Sequence, residues 1–194
     1  MIKTTIKNSP VHIIDNAIPT QHLESIQTWI KTKANFTNYY KEYEESKHIH
    51  FGMPVKQGTL QQTFLLQHWF TDYLTAYEPR ATLSQKVKSD MPIFSHGSKV
   101  SEHQDFIGVN DDTFYVSSTL FLNPLDKDKN SGLFLEDQYF QNMYNRLIIH
   151  SGHIKHKVRV PDNNTLRLTL DIHISNATID TNQTYENNLV TFVK

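Results

Sequence analysis

The chain has no cysteine among its 194 residues, and this absence excludes disulfides, thiolate metal sites and cysteine nucleophiles. Any transition metal would therefore be held by nitrogen and oxygen ligands. Long apolar runs are also lacking, because residues 1–10 are polar and no later run approaches the length of a membrane span. We therefore expect a cytoplasmic protein without a signal peptide and without a membrane partner.

An excess of charge of one sign is lacking as well. The 19 Lys and Arg residues oppose 20 Asp and Glu residues, so the formal net charge is -1, and this balance disfavours a nucleic-acid partner. Aromatic residues are plentiful by contrast, with 11 Phe, 9 Tyr and 2 Trp, which is typical of a globular protein rather than a disordered one. A length of 194 residues suits a single domain with one substantial core.

The early part of the chain carries helical periodicity. Apolar residues at helical spacing predict a helix over about 20–33. A second apolar stripe over 60–74 predicts another helix, which Pro79 ends. The segment 34–58 has no clean periodicity, so we predict a long loop there, with room for a short strand at 48–51.

One short strand is predicted at 11–14, before the first helix. After Pro79 the sequence predicts a series of short strands, at 83–88, 92–95, 113–123, 132–136, 146–150, 155–160 and 165–175, with a last strand-like piece at 189–193. Helices followed by many short strands give an α+β pattern, and a jelly roll backed by N-terminal helices fits the number and shortness of the strands. We predict one domain over 1–175, with helical support at about 20–78, a jelly-roll core at about 80–175 and a C-terminal extension at 176–194.

The segment 165–175 alternates strictly between apolar and polar residues. Leucine and isoleucine occupy one face, and Arg167, Thr169, Asp171 and His173 occupy the other. The apolar face can pack under the N-terminal helices. The polar face must then point either to solvent or into a polar cavity.

The triplet His103-Gln104-Asp105 places an imidazole and a carboxylate two residues apart. In an extended segment these two side chains point to the same side and could bind one metal ion together. The triplet alone is not specific, because 11 His and 12 Asp residues in 194 produce roughly one such pair by chance. A second imidazole is needed to complete a metal site.

The predicted hairpin at 146–160 offers three candidates for that second imidazole. His156 shares an inward strand face with two valines, whereas His150 lies at a strand end and His153 in a turn, so we interpret those two as structural or solvated. Arg167 follows His156 by 11 positions, across one hairpin turn. If that face is interior, the guanidinium needs a partner, since a lone buried charge is very costly, and a bidentate carboxylate suits its geometry.

The order and spacing of these residues make the sequence resemble those of the Fe(II)- and 2-oxoglutarate-dependent oxygenases, most closely the prolyl-hydroxylase-like branch. The residues that carry the resemblance lie within about 80–175. They are His103 and Asp105, then His156, 51 positions after Asp105, and finally Arg167 and Thr169 on the next predicted strand. Further segments similar to the family are 121–124, 131–134, 145–149 and 156–158. Order, spacing and hairpin context carry the resemblance, because none of these motifs is specific alone.

The resemblance implies a double-stranded β-helix, that is, a jelly roll of the cupin type. It implies that Fe(II) is bound by His103, Asp105 and His156, the two-His-one-carboxylate set that leaves three coordination positions open. The carboxylate of Asp105 favours hydroxylation, because halogenating relatives usually have a small residue there.

The resemblance also implies 2-oxoglutarate and O₂ as co-substrates. The keto-acid end of 2-oxoglutarate would chelate the iron, and its distal carboxylate would contact Arg167 with help from the Thr169 hydroxyl. Tyr115, on the hydroxyl-bearing face of the predicted strand 113–123, is a further candidate for the same carboxylate. The implied reaction is hydroxylation of an unactivated C–H bond of a small molecule or peptide, with release of succinate and CO₂.

Two alternatives belong to other classes. A cupin-like metal dioxygenase could use the same three ligands without 2-oxoglutarate and would have no need of Arg167. A non-catalytic jelly-roll binding module would hold no metal, and its Arg167 would pair with Asp171 or Glu136. A nucleic-acid repair role is disfavoured, because the dealkylating branch has a second Arg at the position of His173.

Overall fold

The structure is a computed structural model that describes residues 1–33, 37–43, 46–54, 72–80, 93–96, 100–105, 114–123, 132–159 and 168–175. Its elements are the helix α1 (Thr20–Lys33) and the strands β1 (Ile2–Ile6), β2 (Ser9–Asp15), β3 (Thr37–Tyr43), β4 (Ser46–Pro54), β5 (Ile93–His96), β6 (Val100–His103), β7 (Tyr115–Phe121), β8 (Gly132–Leu135), β9 (Gln138–Gln141), β10 (Arg146–Ser151), β11 (His156–Arg159) and β12 (Leu168–Ser175). Residues 72–77 are also helical. Within these ranges, neither helical segment has the length and apolar character needed to cross a bilayer.

Antiparallel pairing arranges the described strands in two sheets. The major sheet has eight strands in the order β1-β2-β10-β7-β12-β5-β4-β3, and the minor sheet has four in the order β6-β11-β8-β9. Strands that are neighbours in space come from distant parts of the chain, as in a jelly roll. The described architecture is therefore an antiparallel, jelly-roll-like one, as predicted.

The central strand β7 divides the interior into two apolar cores. Its residues alternate, so Val116 and Leu120 point to one face of the major sheet while Phe121 points to the other. On the first face they pack with Leu23 of α1 and with Leu74. On the second face Phe121 packs against apolar side chains of the minor sheet, among them Leu133, Leu135 and Val158. The space between the two sheets is thus closed by apolar packing.

The helix α1 begins at a proline, as the sequence indicates. The carbonyl of Pro19 accepts hydrogen bonds from the backbone N–H groups of His22 (3.0 Å) and Leu23 (3.2 Å), which closes the first helical turn. Leu23 is fully buried in the first core. Proline suits this end of a helix because its missing N–H is not needed there.

The interior between the sheets is faced by Ser117 and Thr119 of β7 and by Thr169 and Asp171 of β12. Thr119 donates a hydrogen bond to Oδ1 of Asp171 (2.7 Å) across the paired strands. Leu170, the neighbour of Asp171, lies in the first core beside Leu120. The predicted alternation of 165–175 is therefore confirmed at 169–171, where the side chains are described, and the polar side chains there point to the space between the sheets rather than to solvent.

The prediction of a long loop over 34–58 is wrong for 37–43 and for most of 46–54, whereas the short strand predicted at 48–51 lies within β4. The segment contains β3 and β4, which pair from Thr37 with Gly52 to Tyr43 with Ser46, and β4 continues the major sheet through its pairing with β5. These strands show no apolar alternation in the sequence. They form because the edge of the major sheet offers backbone hydrogen-bond partners, which sequence periodicity does not report.

Three further strands, β1, β6 and β9, are absent from the predicted list of strands. β1 joins β2 through Lys7 and Asn8, whose φ angles are 46° and 64°, as in the two-residue turns that match strand twist. β9 joins β8 through a turn in which Glu136 has a φ of 51°. Both turns lack the Asn-Gly or Asp-Gly pair that marks a hairpin in a sequence, so the signal was weak.

Some predicted elements lie outside the described residues. They are the strands at 83–88 and 189–193, most of the helix at 60–74, and the extension at 176–194. The domain boundaries at 1–175 and 176–194 therefore stay predictions.

His12 is a buried histidine on β2, away from the minor sheet. It is 4% exposed, its ring meets Tyr77 edge-on at 4.9 Å, and its Nδ1 has no hydrogen-bond partner in the described structure. Burial lowers the pKa of His12, and the positive charge of Lys3 on the paired strand lowers it further. The folded protein therefore holds this imidazole neutral.

Acidification should destabilise the protein partly through His12. The folded-state pKa lies below the unfolded value of about 6.5, so the unfolded chain gains the proton first, and stability is lost as the pH falls below that value. We expect His12→Phe, which keeps a ring against Tyr77, to show a smaller loss of unfolding free energy between pH 7 and pH 5 in urea titrations. Equal losses in the two proteins would contradict a neutral, buried His12.

Candidate metal centre

Two imidazoles are placed side by side by the pairing of β6 with β11. His103 is the last residue of β6 and His156 is the first of β11, and the two are direct partners in the antiparallel register. Their ring centroids lie 4.2 Å apart. Side chains of directly opposed residues on one face of a sheet are close by construction, so the strand pairing itself creates half of the site.

Asp105 completes a group of three donors. Its Oδ1 lies 3.5 Å from Nε2 of His103 and 3.6 Å from Nε2 of His156, and the donor atoms of the three residues all lie within 4.8 Å of one another. Donors at about 2.1 Å from one ion lie roughly 3 Å apart at right angles. The two distances from Asp105 exceed that value by about half an ångström, and the whole donor set lies within 4.8 Å. Side-chain rotations can draw the donors together around one ion, so these residue types fit a divalent metal ion.

The hydrogen bond of His156 favours the tautomer that a metal ligand needs. Its Nδ1 lies 3.1 Å from the carbonyl oxygen of Ile154, and that oxygen can only accept, so Nδ1 carries the proton. The lone pair is then on Nε2, which points at Asp105. Orientation of a ligating imidazole by a backbone carbonyl is the usual arrangement around protein metal sites.

The backbone of Asp105 is fixed by the turn that leads into β11. Its N–H donates to the carbonyl of Gly152 (3.1 Å), and the N–H of Gly152 donates to the carbonyl of Tyr115 on β7 (2.8 Å). Gln104 adds a hydrogen bond from its side-chain amide to the carbonyl of His153 (2.5 Å). The loop that follows β6 is therefore joined to both β7 and the turn.

Gly152 is needed in this turn because its backbone approaches an aromatic ring. A Cβ atom at this position would lie 2.4 Å from Cδ1 of Tyr115, closer than carbon atoms can pack. With no side chain, the glycine brings its carbonyl within reach of Asp105.

The site has a closed side and an open side. The side chains of His156 and Asp105 are 10% and 13% exposed, whereas that of His103 is 39% exposed. His103 also belongs to β6, an edge strand of the minor sheet. Molecules from solvent can therefore approach the group past His103.

The other three predicted site residues, which the sequence assigns to 2-oxoglutarate, are not part of the three-donor group. Thr169 is fully buried on β12, and its hydroxyl donates to Oδ2 of Asp171 (3.1 Å). Tyr115 is partly buried at the start of β7, with its ring against Gly152. Arg167 lies outside the described residues, so its predicted role is untested.

Two residues beside the three donors, His150 and Ser117, were not among the predicted site residues. His150 was interpreted as structural or solvated, and it is a buried residue, 1% exposed, whose ring packs edge-on against the His156 ring at a centroid distance of 5.0 Å. Ser117 donates its hydroxyl hydrogen to Oδ2 of Asp105. The two are direct partners on β10 and β7, and their shared inward face is the signal that could have found them.

Comparison of the whole chain with known proteins gives matches in structure alone. No protein-family model matches the sequence, and no curated protein matches it either. Among solved structures, a prolyl-4-hydroxylase from Pseudomonas putida superposes with a TM-score of 0.60 at 16% identity, covering 85% of this chain and 91% of that one. The chain has the prolyl-hydroxylase fold.

Two further solved structures share this fold. HygX from Streptomyces hygroscopicus, with nickel and 2-oxoglutarate bound, matches with a TM-score of 0.61 at 7% identity, covering 87% of this chain and 83% of that one. A prolyl hydroxylase from Trichoplax adhaerens, in complex with a peptide fragment of hypoxia inducible factor, matches with a TM-score of 0.57 at 12% identity, covering 84% and 82%. At these identities the likeness is one of fold.

Metal binding should depend on the three donors and not on neighbouring histidines. We expect Asp105→Ala and His156→Ala to weaken Co(II) binding by about 100-fold or more, because each removes one of three ligands and even the loss of a residue that orients a ligand costs about 10- to 100-fold. His153→Ala should leave Co(II) binding nearly unchanged. Isothermal titration of the metal-free proteins measures this. Similar losses in all three variants would show that the histidine-rich turn, rather than the three-donor group, binds the metal.

Proposed function

We propose that the protein is an Fe(II)- and 2-oxoglutarate-dependent oxygenase that hydroxylates an unactivated C–H bond of a peptide or small molecule. One observation carries the proposal: His103, Asp105 and His156 converge within a fold like that of prolyl hydroxylases. The overall reaction consumes the substrate C–H group, 2-oxoglutarate and O₂, and yields the C–OH product, succinate and CO₂.

The three donors would hold the iron and leave three coordination positions for other molecules. Bound iron would supply the activation of O₂ that a C–H bond requires. The protein supplies the geometry: the carbonyl of Ile154 orients His156, and the turn at Gly152 holds the backbone of Asp105. The apolar core beside the site limits the access of water from the closed side.

The distal carboxylate of 2-oxoglutarate would bind at the start of β12. Arg167 immediately precedes that strand and would provide the bidentate guanidinium contact. Thr169 would assist by turning its hydroxyl from Asp171 toward the carboxylate, which a rotatable hydroxyl can do. Tyr115 remains a further candidate for the same carboxylate.

The substrate class is supported by a structural relative and by surface charge. The prolyl hydroxylase from Trichoplax adhaerens binds a peptide, which supports a peptide or small-molecule substrate here. Lys155 and Lys157 on the minor sheet each lie 3.8 Å from the carboxylate of Glu102, so the basic character of this face is offset. That pairing supports the prediction that nucleic acid is not the substrate.

Addition of Fe(II) and 2-oxoglutarate under anaerobic conditions tests the proposed function. We expect a visible metal-to-ligand charge-transfer band, because a keto acid chelating Fe(II) produces one, and no band when succinate replaces 2-oxoglutarate. Absorption spectroscopy of the iron-loaded protein measures it. A folded, iron-loaded protein without the band would favour a metal dioxygenase that does not use 2-oxoglutarate.

Arg167→Ala should separate co-substrate binding from metal binding. We expect 2-oxoglutarate affinity, read from titration of the same band, to fall about 10- to 100-fold, since hydrogen bonds to a charged group contribute roughly 1.5–3 kcal/mol. Iron affinity should not change. Arg146→Ala is the matched control, because Arg146 pairs with Asp15 (2.6 Å) and not with the site. If iron and 2-oxoglutarate weaken equally in Arg167→Ala, the residue is structural.

A further inference from the structure

The two carboxylate oxygens of Asp105 have different surroundings. Oδ1 is the atom that faces Nε2 of both His103 and His156. Oδ2 points the other way and accepts the hydroxyl hydrogen of Ser117. Only one oxygen of this carboxylate is therefore directed at the position of the metal.

Ser117 occupies a fixed place in the major sheet. It lies in the middle of β7, is 2% exposed, and is paired on one side with His150 of β10 and on the other with His173 of β12. A residue held by ladder hydrogen bonds on both sides cannot shift its backbone easily. Its hydroxyl is therefore a rigid donor on the inward face of the sheet.

A carboxylate can bind a metal through one oxygen or through both. With two imidazoles and one carboxylate oxygen bound, a six-coordinate metal keeps three positions open, whereas a two-oxygen carboxylate leaves only two. The proposed reaction needs three, two for the keto acid and one for O₂. A donor that occupies Oδ2 therefore favours the required ligand count.

We propose that Ser117 is a positioning residue that holds Oδ2 of Asp105, so that the carboxylate binds metal through Oδ1 alone. The proposal rests on the proposed function for its purpose, but the metal-binding property can be measured without 2-oxoglutarate. A hydrogen bond to a charged oxygen in a site this poorly exposed is strong. Residues that orient a metal ligand typically change metal affinity by about 10- to 100-fold when they are replaced.

Neighbouring serines on one strand provide a matched comparison. Ser117 faces Asp105. Ser118 is as well buried, at 1% exposed, but as the next residue of the strand it points to the opposite face of the sheet. Its partners on the neighbouring strands are Ile149 and Ile172. Ser117→Ala and Ser118→Ala each remove one buried hydroxyl from the same strand. Ser117→Thr retains the hydroxyl, and Ser117→Cys keeps the side-chain size with a weak donor.

Co(II) titration of the metal-free proteins, followed by visible absorption, tests the role. We expect Ser117→Ala and Ser117→Cys to weaken Co(II) binding about 10- to 100-fold and to alter the d–d spectrum, because the carboxylate can turn and change the ligand set. Ser118→Ala and Ser117→Thr should keep the wild-type affinity and spectrum. Thermal unfolding of the metal-free proteins reports any general loss of stability, which alone would leave the spectrum unchanged.

Two results would overturn the role of Ser117. One is a wild-type Co(II) affinity and spectrum in folded Ser117→Ala or Ser117→Cys; the other is the same change in Ser118→Ala. Failure of the proposed function is seen separately, as a wild-type protein that binds iron without the 2-oxoglutarate charge-transfer band. In that case a weakened, spectrally altered Co(II) complex in the Ser117 variants would still support the positioning role.

Discussion

The pairing of β6 with β11 is the constraint on which the candidate metal centre depends. It sets His103 and His156 opposite each other, so the distance between the two imidazoles follows from backbone hydrogen bonds rather than from side-chain packing. The third donor, Asp105, comes from the loop after β6 and reaches the pair because Gly152 holds its backbone. A shift of this register by one residue would separate the two imidazoles.

The location of the group between two sheets explains how a carboxylate and two imidazoles coexist there. Apolar residues of the second core, such as Phe121 and Leu135, lie in the same space and lower the local dielectric. Hydrogen bonds and charge interactions are stronger in such surroundings, and unpaired charges are costly. A bound cation would balance the charge of Asp105, and any ligand that binds the folded state alone also stabilises that state.

The jelly-roll-like fold could be predicted from the sequence, and so could the proximity of His103, Asp105 and His156, whose metal-binding role stays a prediction. Strict alternation indicated the inward face of β12, and the His-x-Asp triplet and the hairpin context of His156 indicated the three candidate donors. The strand β3 and the ends of β4 were missed because their pairing partners, not their own periodicity, determine them. Ser117 was missed as a contact because a serine on an alternating strand is common, and only the three-dimensional register shows that it faces Asp105.

The strand β7 serves the apolar interior and the metal centre at the same time. Its even-numbered side chains, such as Val116 and Leu120, pack in the first core, and the odd-numbered Ser117 supports Asp105. The insertion or deletion of a single residue within β7 would turn every side chain beyond that point to the opposite face of the sheet. The packing of the first core and the contact with Asp105 would then be lost together. For protein engineering, the length of this strand is therefore fixed, and new sequence is better introduced where the chain turns between strands.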